Sequence, residues 1–119
     1  MRAAPLGLIL FLSVIAAARA DCIVHGDFTI SSGGSASMAA DSGRKCESQF
    51  MDAEPGVKFA SLWVINDPAS GKLDLRKGGF YAYTSKSGFT GRDAFTLRIC
   101  GDRSGKQICS LLKFQVSVR

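Results

Sequence analysis

At 119 residues, with 46% hydrophobic and 21% charged residues, the chain has the size and composition of one packed domain rather than a disordered segment. Fifteen Lys and Arg against ten Asp and Glu give a formal charge of +5. A single His among four Cys and 13 Gly excludes most His-dependent metal sites and leaves little material for a Ser-His-Asp centre.

Residues 1–20, MRAAPLGLILFLSVIAAARA, have the layout of a cleaved secretory signal peptide. Arg2 is a short basic head, Leu6 to Ile15 an apolar run, and Ala18 and Ala20 put small residues at −3 and −1 of a cut before Asp21. The run is shorter than the roughly 20 apolar residues a membrane span needs. No other stretch is apolar enough to span, so the mature domain, 21–119, is expected to lack a transmembrane segment. Removal of the peptide leaves 99 residues, 13 basic and 10 acidic.

Export decides how the cysteines read. Cys22, Cys46, Cys100 and Cys109 all lie in the mature part, and an even count in a small exported domain points to disulfides. Separations of 24, 54 and 9 residues match no structural zinc motif. Four cysteines allow three pairings.

Taken in chain order, the mature region lacks helical periodicity and consists of short apolar-alternating runs between Gly, Asp, Asn and Ser. Phe28–Ile30 reads as a first strand and Ser35–Ala40 as a weak one, followed by an irregular segment over 41–56. Val57–Ile65 is the most apolar run and reads as a strand buried on both faces or nearly so. Asn66-Asp67-Pro68 and Gly71 mark a turn. Lys72–Leu75, Phe80–Thr84, Phe95–Cys100 and Ile108–Val118 complete about seven strands. The expected fold is all-β, an antiparallel sandwich.

The last two strands fix a register. Phe95, Leu97 and Ile99 share one parity, as do Ile108, Leu112, Phe114, Val116 and Val118, so each strand has one core face and one wet face. If Cys100 bonds Cys109, paired residues sum to 209, Leu97 meets Leu112 and Phe95 meets Phe114. A one-residue slip would turn Phe95 toward the polar side. Cys100–Cys109 is therefore the favoured bridge, on the outer face, and Cys22–Cys46 follows by exclusion.

Residues 68–105, PASGKLDLRKGGFYAYTSKSGFTGRDAFTLRICGDRSG, carry a patterned set: Pro68, Gly71, Gly79, Tyr81, Tyr83, Gly88, Phe89, Gly91, Asp93, Phe95, Asp102 and Gly105. This pattern resembles the bacterial immunoglobulin-like and cadherin-like repeats of large surface proteins, over about 40% of the mature chain. The resemblance implies an immunoglobulin-like β-sandwich. It also extends to small exported single-domain relatives with a Cys in each of the last two strands. Physically the motif is structural: Gly88 and Gly91 permit backbone angles closed to other residues, Asp93 can accept backbone N–H bonds in a turn, and Phe95 enters the core. Asn66-Asp67-Pro68 is similar to part of the calcium linker of the long arrays, but no second acidic cluster completes it, and no metal is expected.

The remaining candidates are weighed by their surroundings. His25 with Asp27 reads as a polar surface turn, since no nucleophile partners it. Met38 and Met51 are too far from it in sequence for an ordinary copper motif. Glu47, Asp52 and Glu54 read as a solvated loop. Trp63 shares parity with Val57, Phe59 and Ile65 and reads as core, whereas Tyr81 and Tyr83, if exposed, would form a small sugar-binding patch.

Charge is uneven along the chain. Residues 21–71 hold 3 basic and 7 acidic groups, residues 72–119 hold 10 and 3. Arg98 and Lys113 fall on the wet face of the last hairpin; with Arg92, Arg103 and Lys106, and with Lys86 and Arg119, they define a possible surface for an anionic ligand.

The sequence thus predicts a monomeric, periplasmic or secreted, non-enzymatic binding module without catalytic residues or cofactor. Its partner would be a protein or an anionic envelope glycan or lipid, not nucleic acid. The alternatives are a structural envelope protein without a discrete site, or a small metal-binding or hydrolytic protein centred on His25.

Overall fold

The computed structural model describes residues 22–50 and 54–119. It is all-β, with eight strands and no helix among the described residues: β1 (Ile23–Thr29), β2 (Gly33–Ala40), β3 (Lys45–Gln49), β4 (Val57–Asn66), β5 (Gly71–Arg76), β6 (Phe80–Ser85), β7 (Gly91–Arg103) and β8 (Lys106–Val118). Five of them form one sheet in the order β1-β2-β8-β7-β4, and three form a second in the order β3-β6-β5.

The β7–β8 hairpin is the spine of the larger sheet. Its pairing runs without interruption from Gly91↔Val118 to Arg103↔Lys106, every pair summing to 209. Phe95 faces Phe114, Leu97 faces Leu112, and Cys100 faces Cys109, as the parity argument required. Pairing without a bulge over 13 residues on each strand keeps the inward side chains on one side, so a slip would expose the set. Phe95, Leu97, Ile99, Leu112, Phe114 and Val116 are all essentially inaccessible.

The two sheets meet through rings. Phe95 and Phe114 stack on each other with centroids 4.5 Å apart. From the opposite sheet, Tyr83 stacks on Phe95 at 5.9 Å and Tyr81 lies against Phe114 at 5.2 Å. Burying each ring contributes roughly 1.5–3 kcal/mol, and each ring pair about 0.5–1.5 kcal/mol more. Tyr81 and Tyr83 are therefore core residues, and the exposed tyrosine patch does not form.

Asp93 ties this core to a turn. It is 7% exposed, and its carboxylate accepts the hydroxyl of Tyr83 (2.8 Å) and the backbone N–H groups of Ala69 (2.9 Å), Ser70 (3.0 Å) and Ala94 (2.9 Å). One side chain thus joins β7, β6 and the β4–β5 connection. Burial pushes its pKa up, but the hydrogen bonds from Tyr83 and the three amides outweigh burial and hold it below the usual carboxylate value. Tyr83 is displaced upward, chiefly by burial and further by the carboxylate it faces.

Both expected cysteine pairs lie within disulfide distance. Cys22 and Cys46 have Cα atoms 5.0 Å apart and link the start of β1 to β3, joining the two sheets. Cys100 and Cys109, with Cα atoms 4.1 Å apart, close the hairpin across one rung. Cys100 has the outward parity, yet it is buried between Cys109 on one side and Ser61 of β4 on the other.

The structure departs from the expected all-antiparallel arrangement in two ways. First, β2 runs parallel to β8, from Gly34↔Leu112 to Ala40↔Val118. The larger sheet is mixed, because the β1–β2 hairpin lays its second strand along the last strand of the chain. Second, there are eight strands. The segment read as irregular contains β3, whose sequence KCESQ offers only Cys46 to the core and so carries no apolar alternation.

A candidate binding face on the five-stranded sheet

Strand β4 determines what the outer face of the larger sheet displays. Its pairing with β7 shifts twice, between Phe59 and Ser61 and between Val64 and Asn66. Phe59 pairs with Gly101 and Ser61 with Cys100, so Ala60 is one extra residue, a β-bulge. The bulge reverses parity along the strand: Val57 and Phe59 point inward before it, Leu62 and Val64 after it, all packed against the core. Gly101 is what lets the strands approach here, since a Cβ on it would lie 2.5 Å from the Lys58 carbonyl and 2.9 Å from Ile30 Cδ1.

Trp63 is consequently on the outside, 60% exposed, with Ile65 at 47%. Contrary to what its parity with Val57 and Phe59 predicts, Trp63 does not belong to the core, because the extra residue at Ala60 breaks the alternation between them. The indole Nε1–H donates to Ser61 Oγ at 3.1 Å, which leaves the ring's only polar group satisfied.

The rungs crossing the sheet place the outward side chains in rows. Trp63, Arg98 and Leu111 occupy one rung across β4, β7 and β8. The next holds Asn66, Thr96, Lys113, Ser35 and, on β1 two strands from Lys113, the exposed carboxylate Asp27; the one beyond holds Ala94, Gln115, Ser37 and His25. Directly opposed residues lie about 5 Å apart at Cβ, and diagonal neighbours such as Arg98 and Lys113 about 7–8 Å. On β7 and β8 the outward positions carry Arg92, Arg98 and Lys113, against one carboxylate, Asp102, which lies across from Lys58. Among the described residues none of these three cations forms an ion pair.

The predicted basic set is thus brought together only in part. Arg98 and Lys113 are neighbours. Arg92 is six residues from Arg98 along β7, about 20 Å at strand rise, at the far end of the same face. Arg103 and Lys106 face each other at the hairpin tip, where Arg103 is ion-paired with Glu54 at 3.1 Å. The Ser31 hydroxyl and amide also donate to Glu54, and its pKa is lowered first by that hydroxyl and then, against some desolvation, by the Ser31 amide and the Arg103 charge. Arg119 turns toward Asp41, and Lys86 lies in the loop after β6.

Other candidates separate in the same way. His25 points outward on β1, opposite Ser37, whereas Met38 points into the core, so the two are on opposite faces of the sheet. Met51 and Asp52 lie outside the described residues. The depression beside His25, of about 220 Å³, is lined by Ile23, Ser37, Met38, Ala39 and Ser117 and holds no carboxylate. Among the described residues no group of three or more His, Cys, Asp or Glu is placed to hold a metal ion. An open groove of about 600 Å³ runs between β4 and β5, lined by Phe59, Leu62, Leu75, Arg76 and Lys77 among others. Its Arg76 is already engaged, with Glu47 at 2.7 Å and over the Phe80 ring at 4.6 Å.

No protein-family model matches the sequence, and no curated protein is significantly similar to it.

Proposed function

We propose that this protein is an exported, non-enzymatic binding module of immunoglobulin-like type, made with a signal peptide over residues 1–20, and that the outer face of its five-stranded sheet engages an anionic component of the bacterial envelope. The observation that carries the reading is Arg98 and Lys113 side by side on that face, solvent-exposed and without ion-pair partners among the described residues, beside the exposed Trp63. Two cysteine pairs at bonding distance suit an oxidising compartment, and no helix among the described residues is long and apolar enough to cross a membrane. The β-sandwich of the surface-protein repeats is compatible with two packed sheets sharing one core.

The test is retention of the exported protein, disulfides intact, on immobilised lipopolysaccharide and on anionic phospholipid vesicles across a salt series. Exposed charges are screened over about 8–10 Å near physiological ionic strength, so retention should fall steadily as salt rises. The double variant Arg98→Glu with Lys113→Glu should abolish it. Absence of retention at low salt, or retention indifferent to salt, contradicts the reading.

A further inference from the structure

We propose that Trp63, Arg98 and Lys113 form a subsite for an acidic sugar residue, so that the anionic ligand of this face is a carboxylate-bearing polysaccharide; the inference rests on the binding-module reading above and specifies its ligand.

Three features converge on a sugar. The Ala60 bulge turns the largest aromatic side chain of the chain onto the outer sheet face, and Ser61 satisfies its N–H, so the ring offers an apolar plane rather than a donor seeking a partner. An amphipathic ligand with a C–H face and polar edges suits such a ring, because the apolar part is removed from water while its hydroxyls stay free to bond. Arg98 is the direct cross-strand neighbour of Trp63, and its planar fork matches a carboxylate in a bidentate fashion, with Lys113 diagonal to it as a second cation. Beyond them the same face carries Thr96, Ser35, Gln115, Ser37 and Ser117, neutral hydrogen-bonding side chains that can meet the hydroxyls of successive sugar units. A polyphosphate would use the cations but would have no use for the ring and the hydroxyl-rich rows, and a lipid surface could use the ring and the cations but not the hydroxyl-rich rows.

Trp63 is the only tryptophan in the chain, which makes its emission a reporter of this position alone. The exported protein is titrated with a uronate hexasaccharide, a neutral glucose hexasaccharide, inorganic polyphosphate and phosphatidylglycerol vesicles. The uronate probe should bind and change Trp63 emission, and the neutral probe should bind at least tenfold more weakly. Trp63→Ala should weaken uronate binding about tenfold, with Trp63→Phe recovering part of the loss, and Arg98→Gln should weaken it by a similar factor. Both positions are exposed, and circular dichroism of each variant checks that the fold is kept. Uronate binding that leaves the emission unchanged and tolerates Trp63→Ala overturns the sugar subsite but leaves the electrostatic module standing. Binding of polyphosphate or vesicles without uronate does the same. Binding of none of the probes overturns both.

Discussion

The β7–β8 hairpin and strand β4 lie side by side in one sheet, yet they obey alternation differently. The hairpin pairs through 13 uninterrupted rungs, and its inward apolar residues are buried except Ile108 near the tip, which is half-buried. Strand β4 alternates in pieces, reset at Ala60 and again near Ile65. The difference shows that periodicity assigns faces only between bulges. It also shows what a bulge does here: it sends Leu62 and Val64 inward and presents Trp63 and Ile65 to solvent.

The largest effect should come from breaking the regular partner. Phe114→Ala removes the ring that contacts Phe95, Tyr81 and Phe28, and should cost about 3–5 kcal/mol by urea unfolding, with cavity formation added to lost burial.

Asp93 comes next. Replacement by Ala leaves the Tyr83 hydroxyl and the Ala69 and Ser70 amides without their acceptor, at a cost of roughly 3 kcal/mol. The pH dependence follows from its depressed pKa. The carboxylate's contribution is fully present above the ordinary carboxylate value and is lost as pH falls through that value to the lower folded one. Unfolding measured from neutral to acid pH should show this acid limb in the wild type, and Asp93→Asn should flatten it.

The smallest effect sharpens the contrast within β4 itself. Leu62→Ala should destabilise by about 2 kcal/mol, whereas Trp63→Ala, although it deletes more atoms, should stay within about 0.5 kcal/mol. Thermal or urea unfolding of the pair decides it; a larger loss from Trp63→Ala would return that ring to the core.

Much of the fold was legible where one face is apolar and the other polar. The register summing to 209, both cysteine pairs and the turn-binding chemistry of Asp93 follow from such residues, although Asp93 bonds the Ala69–Ser70 turn of another connection as well as its own strand. Strand β3 was illegible because it has one inward apolar residue, and the parallel β2–β8 pairing because GGSASMAA gives no clue to its neighbour. The binding face was half legible. Parity put Arg98 and Lys113 outward, but Val57–Ile65 is apolar on both parities, so it conceals the bulge. The small pair Ala60-Ser61 in the middle of that run was the signal available.

The central claim is that an extra residue in β4 sets Trp63 on a solvated, basic sheet face. Collisional quenching of Trp63 emission by iodide and by caesium at low salt tests it most directly. The account predicts ready quenching by iodide, weak quenching by caesium, and convergence of the two as salt screens Arg98 and Lys113. Protection from both ions would place the ring in the core, and caesium quenching equal to or above iodide's would show that the face around it is not basic.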